Sequence, residues 1–158
     1  MANSKDHPDV IAFPPLILAA ALAVSGFLEW LAPLGLLPAA FSAWALCLAL
    51  WPIGFALGFA LPAILGFRAA GTHVEPFKPT LALVESGPYR FTRNPMYIGL
   101  ILLLIGIGVL GSLDWALLIA PPFWLVLHRG VVLREEAYLS AKFGAEYDAY
   151  RARTRRWL

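Results

Sequence analysis

PMYIGLILLLIGIGVLGSLDWALLIAPPFWLVLHRGVVL, residues 95–133, consists of two apolar runs joined at Gly111-Ser112. A hydrocarbon core of about 30 Å, crossed at about 1.5 Å per residue, needs about 20 mainly apolar residues, or fewer where anchors flank the span. Residues 95–110 therefore read as a short span and residues 113–133 as a full one. The Gly-Ser pair between them predicts a tight turn and an antiparallel helical hairpin. Pro121 and Pro122 lack amide donors and predict a kink in the second arm. Gly106-Ile107-Gly108 lies inside a span, so it reads as a packing surface rather than a phosphate-cradling loop.

Two more apolar runs precede the hairpin, at about 11–31 and 39–67. The expected fold is all-α, an integral-membrane bundle of four transmembrane helices forming a single domain over residues 1–158. Composition agrees, because 60% hydrophobic and 14% charged residues depart from the roughly 45–50% and 25% of soluble domains. ILAAALAVSG has the look of a signal-peptide core. The preceding tail balances Lys5 against Asp6 and Asp9, and apolar character continues through Trp30 and Leu34, so an uncleaved first span is expected. Gly54 and Gly58 form a GxxxG spacing that suits close helix packing or, alternatively, a homodimer contact.

The charges are sorted by position. All twelve Lys and Arg fall in the N-terminal tail, the 67–95 connection or the stretch from Arg129 onward, while the other connections carry only Glu29 and Asp114. The positive-inside bias then places both termini and the basic connection in the cytoplasm, at a bacterial inner membrane. Arg151, Arg153, Arg155 and Arg156 suit anionic headgroups, and no nucleic-acid partner is expected. The single Cys47 excludes an internal disulfide. His73 and His128 lack ligand spacing, so no metal site is expected.

The 67–95 connection mixes Val74, Phe77, Leu81, Leu83 and Val84 with Pro and Gly, as in a segment that lies at the interface and folds over something. Beyond Leu133, residues Leu139, Phe143, Tyr147, Tyr150 and Trp157 recur at spacings of three, four or seven. They predict amphipathic C-terminal helices over 134–158, interrupted at Gly144. The hairpin should bring Arg90, Arg93, Asn94 and Tyr97 near His128, Arg129, Arg134, Glu135 and Glu136. Arg129 and Glu136, seven residues apart, would share one helix face about 10 Å apart along the axis. Ionisable groups at that depth are costly and read as functional by default.

Two runs in this region resemble a known family. Leu83-Val84-x-Ser86-Gly87-Pro88-Tyr89-Arg90-x-x-Arg93-Asn94-Pro95-x-Tyr97-x-Gly99 is similar to the first signature of the isoprenylcysteine carboxyl methyltransferases. Glu135-Glu136-x-x-Leu139-x-x-x-Phe143-Gly144-x-x-Tyr147-x-x-Tyr150 is similar to the second. The resemblance implies an integral-membrane methyltransferase that uses S-adenosylmethionine on a lipophilic or lipid acceptor, with a prenylcysteine-like carboxylate among the candidates. It implies a cofactor set of Arg93, Pro95, Tyr97, Gly99, Glu135 and Glu136, to which the helix-face argument adds Arg129. Arg93, Asn94 and Glu135 are the expected catalytic group. Asn94 stands where the family pattern has His, and an amide cannot be protonated as a ring can. An NADPH-dependent reductase of the sterol reductase type and a non-catalytic membrane scaffold are the competing readings.

Overall fold

The computed structural model describes residues 6–158, so Lys5 and its part in the charge argument lie outside the described residues. Six α-helices follow in order: α1 (Pro14–Leu31), α2 (Ala43–Ala69), α3 (Pro95–Gly111), α4 (Asp114–Leu127), α5 (Leu133–Phe143) and α6 (Ala145–Arg153). A 3-10 turn spans Gly87–Arg90, and a π-helical turn over His128–Val132 joins α4 to α5. No strand forms among the described residues. The runs Pro14–Leu31, Ala43–Ala69 and the continuous Asp114–Phe143 are long and apolar enough to cross a membrane, and the 17-residue α3 is a shorter apolar helix.

The hairpin turns where the residues require it. Ser112 adopts a left-handed conformation with φ 56° and closes α3, and α4 begins two residues later. Helix α4 continues through Pro121 and Pro122. The break in α-helical hydrogen bonding falls instead at His128–Val132, so the expected fourth span runs on into α5 rather than ending at Leu133. Gly144, with φ 50°, separates α5 from α6 because a left-handed residue cannot continue a helix.

Small residues make the close contacts and large ones face outward. Helix α2 buries Ala45, Ala49, Ala56 and Ala63, while Leu50, Trp51, Phe55 and Leu61 are exposed. Water would penalise that arrangement, and lipid tolerates it. A Cβ on Gly99 would lie 3.1 Å from the Ala56 carbonyl oxygen, and one on Gly106 would lie 2.5 Å from Ile53. The tight crossing of α2 on α3 thus depends on these two glycines. Gly108 makes the equivalent approach to Ala116 of α4. Gly54 and Gly58 meet nothing within 4 Å and line an open apolar groove with Trp51, Phe55 and Phe91. They serve no helix crossing within the chain.

Polar contacts fasten the two ends of the bundle. At the end holding Glu29 and Asp114, the buried Asp114 carboxylate accepts from the Leu36 and Leu37 amides at 2.9 and 2.8 Å. Trp115 Nε1 donates to the Ala32 carbonyl at 2.8 Å. At the opposite, basic end the Ile11 amide donates to the Gly130 carbonyl at 3.1 Å, and the Ile11 side chain fills the space where a Cβ on Gly130 would stand. Arg134 adds a bond to the Asp9 carbonyl at 2.7 Å.

Replacing Asp114 by Ala leaves two amides without a carboxylate and should lower stability by about 2 kcal/mol. The measurement is the heat-unfolding midpoint in detergent. Asp114→Asn should recover part of the loss, because its one remaining oxygen still accepts.

Candidate functional site

The basic end opens into a cavity with about 780 Å3 of space between its walls, counted out to its mouth. Phe67 at the end of α2, residues of the 73–84 stretch, Tyr89, the start of α3, α5 and α6 all contribute wall. Pro8 from the N-terminal segment closes one side. Two roofing segments meet at Tyr138, whose hydroxyl accepts from the Thr80 amide at 3.1 Å and lies 3.0 Å from Asp6 Oδ1. Asp6 also pairs with Lys142 at 2.6 Å, and the hydrogen bond from Lys142 holds its carboxyl below the usual range.

The helical register gives the consecutive glutamates different surroundings, since neighbours on a helix point about 100° apart. Glu136 is buried and takes two arginines. Arg93 Nη2 lies 3.2 Å from its Oε1, and Arg156 donates through Nε at 3.0 and 3.1 Å and through Nη2 at 2.8 Å. Glu135 is half-buried on the cavity wall, where it accepts from the Tyr97 hydroxyl at 2.7 Å. Among the described residues no cation pairs with it.

Arg93 shows the complementary shortfall. Its side chain is 8% exposed, and its Nε and Nη1 have no hydrogen-bond partner among the described residues. Buried donors are nearly always satisfied. The cavity therefore presents spare guanidinium donors and an unneutralised carboxylate together.

The end of the sequence supplies a wall that pattern reading missed. Residues 154–158 leave α6 and run beside 92–94, where Thr92 and Arg155 form an isolated parallel bridge. The Arg93 amide donates to the Arg155 carbonyl at 2.9 Å. The Arg156 carbonyl accepts from Thr92 Oγ1 at 3.1 Å and Asn94 Nδ2 at 2.8 Å. Asn94 lines the cavity, but its amide nitrogen is committed to this tether. Tyr150 donates to the Tyr89 carbonyl at 2.8 Å. Burial pushes the Tyr147 phenol up to about 12 and raises those of Tyr89 and Tyr150, so all three stay protonated at neutral pH.

Of the residues singled out in the sequence, Arg93, Asn94, Tyr97, Glu135 and Glu136 meet at the cavity. Pro95, Gly99 and Arg129 do not line it. Pro95 is the first residue of α3, Gly99 is occupied by the crossing with α2, and Arg129 is exposed. The π turn breaks the register on which the Arg129–Glu136 ridge depended, because its extra residue rotates all that follows. His128 also stands apart from the cavity, stacked on Trp124 at a centroid distance of 5.2 Å.

A model of the phospholipid methyltransferase family matches residues 39–146. The chain belongs to that family. Membership makes it an integral-membrane methyltransferase, related to the isoprenylcysteine carboxyl methyltransferases whose signatures the sequence resembles. The matched region holds every span after the first and both glutamates, and it ends before Arg156. Over 65 residues the chain is 42% identical to an uncharacterized protein of Haemophilus influenzae, covering 40% of this chain and all of that one. No solved structure matches.

The unequal pairing of the two carboxylates sets a stability contrast. Glu136→Gln removes the counter-charge of a buried arginine and should destabilise by about 2 kcal/mol, below the roughly 3–5 of fully buried pairs because the Arg156 side chain is 38% exposed. Glu135→Gln should change stability by less than about 1 kcal/mol, since a glutamine oxygen still accepts from Tyr97. Paired thermal melts of the two variants check this.

Proposed function

We propose that this family member transfers methyl groups from S-adenosylmethionine to a lipophilic acceptor, at a site facing the cytoplasm of a bacterial inner membrane. The observation that supports it is the pair of unmet demands in the cavity. Arg93 has two donors without partners, and Glu135 has a carboxylate without a cation. A free amino-acid end, with one carboxylate and one ammonium, meets both demands at once. S-adenosylmethionine carries such an end, so the residues present fit it.

When bound, the cofactor supplies an electrophilic methyl on a sulfonium sulfur. The protein contributes binding, alignment and exclusion of water, the terms that dominate an in-line displacement. Arg93 receives the carboxylate and Glu135 the ammonium, while Tyr97 fixes the Glu135 rotamer. Asn94 and Glu136 hold Arg93 and the adjoining strand of chain in place. Phe67, Val84, Met96 and Leu139 form an apolar lining suited to a lipophilic acceptor beside the cofactor. Phospholipid amines and prenylcysteine-like carboxylates are both acceptors of this kind, and a carboxylate needs no base because it is already ionised at neutral pH.

The experiment is calorimetry with S-adenosylmethionine in detergent. Arg93→Gln and Glu135→Gln should each weaken binding by roughly tenfold or more, as expected for loss of a charge-assisted hydrogen bond. Unchanged affinity in both variants excludes the assignment. Labelled methyl transfer into a lipid extract, followed by mass identification of the product, fixes the acceptor. Cofactor binding should also slow proteolysis within residues 72–84, which roof the cavity, and equal rates with and without cofactor would contradict enclosure beneath them.

A further inference from the structure

We infer that Arg156 is a positioning residue that keeps Arg93 available to the ligand by occupying Glu136 in its place. The inference rests on reading the cavity as the S-adenosylmethionine site. Glu136 offers two oxygens to two guanidinium groups. Arg156 takes both of them through three contacts of 2.8 to 3.1 Å, and Arg93 keeps a single contact at 3.2 Å through Nη2. The fork of Arg156 thus holds the geometry that a carboxylate offers its best partner, and Arg93 Nε and Nη1 are left unpartnered.

Without the Arg156 guanidinium, the vacated oxygens of Glu136 are the strongest acceptors within reach of Arg93. A buried arginine in a site of low dielectric would turn to a bidentate pair with them, because Coulomb attraction there is only weakly screened. The donors now facing the cavity would then be spent internally. Arg156 thus acts on the ligand through Arg93, although it contributes no wall to the cavity.

Independent contacts show that the Arg156 backbone is held rigidly enough for this task. Its carbonyl accepts from Thr92 and Asn94, the preceding carbonyl accepts from the Arg93 amide, and the next residue, Trp157, packs against Trp124 and His128. Arg93 and Arg156 are therefore fixed relative to each other on adjacent extended segments. Asn94, where the related signature carries His, serves the same arrangement by holding the backbone from which the Arg156 side chain projects.

The test compares the calorimetric affinities of S-adenosylhomocysteine and of its analogue lacking the α-carboxylate. Only the first engages Arg93, and the wild-type chain should prefer it by at least about tenfold. In Arg156→Gln that preference should fall to about threefold or less while affinity for the decarboxylated analogue is retained, and Arg156→Lys should restore part of it. A general loosening of the fold would weaken both ligands alike, and an unchanged preference ratio overturns the inference. Asn94→Ala leaves both arginines and both glutamates in place, so it carries the same test should Arg156→Gln fail to fold, with a smaller fall in the ratio expected and no fall overturning it. If the wild-type chain binds neither compound, the reading of the cavity fails and the inference falls with it; preferential wild-type binding with an unaltered ratio in the variants sinks the inference alone.

Discussion

One carboxylate joins the parts of the basic end. Glu136 lies where α5, the segment leading into α3 and the stretch after α6 converge, and its two arginines come from the latter two. Removing an acid from water costs several kcal/mol unless cations and hydrogen bonds replace the lost solvation. The three stretches must therefore arrive together or the carboxylate is left uncompensated. The cavity exists because their convergence leaves a gap between α5 and the start of α3, bridged by the Tyr97 to Glu135 hydrogen bond.

The rest of the bundle answers a different constraint. Where the surroundings are as apolar as the side chains, burial of Leu or Trp brings little gain, and helices adhere by close van der Waals fit. Hence Gly99 and Gly106 touch α2 at distances no larger residue could match, while Trp30, Trp44 and Trp51 point away from the protein. Because lipid-facing helices gain little from burial, polar fasteners such as Asp114 on the Leu36 and Leu37 amides determine where the ends sit.

Periodicity and charge made the helices legible. Apolar runs of membrane length, the Gly111-Ser112 turn and the Gly144 interruption are local properties, and each maps to an observed boundary within a few residues. The meeting of Arg93, Asn94 and Tyr97 with Glu135 and Glu136 was also readable, because a hairpin brings its two open ends together. Arg156 was not. Four arginines within six residues look alike as headgroup anchors, and nothing in their spacing marks the one whose backbone returns to pair with Thr92 and Asn94. The displacement of Arg129 was equally hidden, since a π turn comes from tertiary packing, here Ile11 against Gly130, rather than from any repeat.

That π turn also fixes the azimuth of everything after it. A π segment holds one more residue per turn than the α-helix around it, so it acts as an insertion whose phase error is kept rather than repaired. Excising any one residue from His128–Val132 would let the rod rewind as plain α-helix and swing α5 by about 100°. Glu135 and Glu136 would then trade bearings: the acid now locked between arginines would look into the hollow, and its neighbour would face away. Insertions or deletions within these five positions are thus a different class of change from those in the outer loops, because the chemistry is indexed from this point.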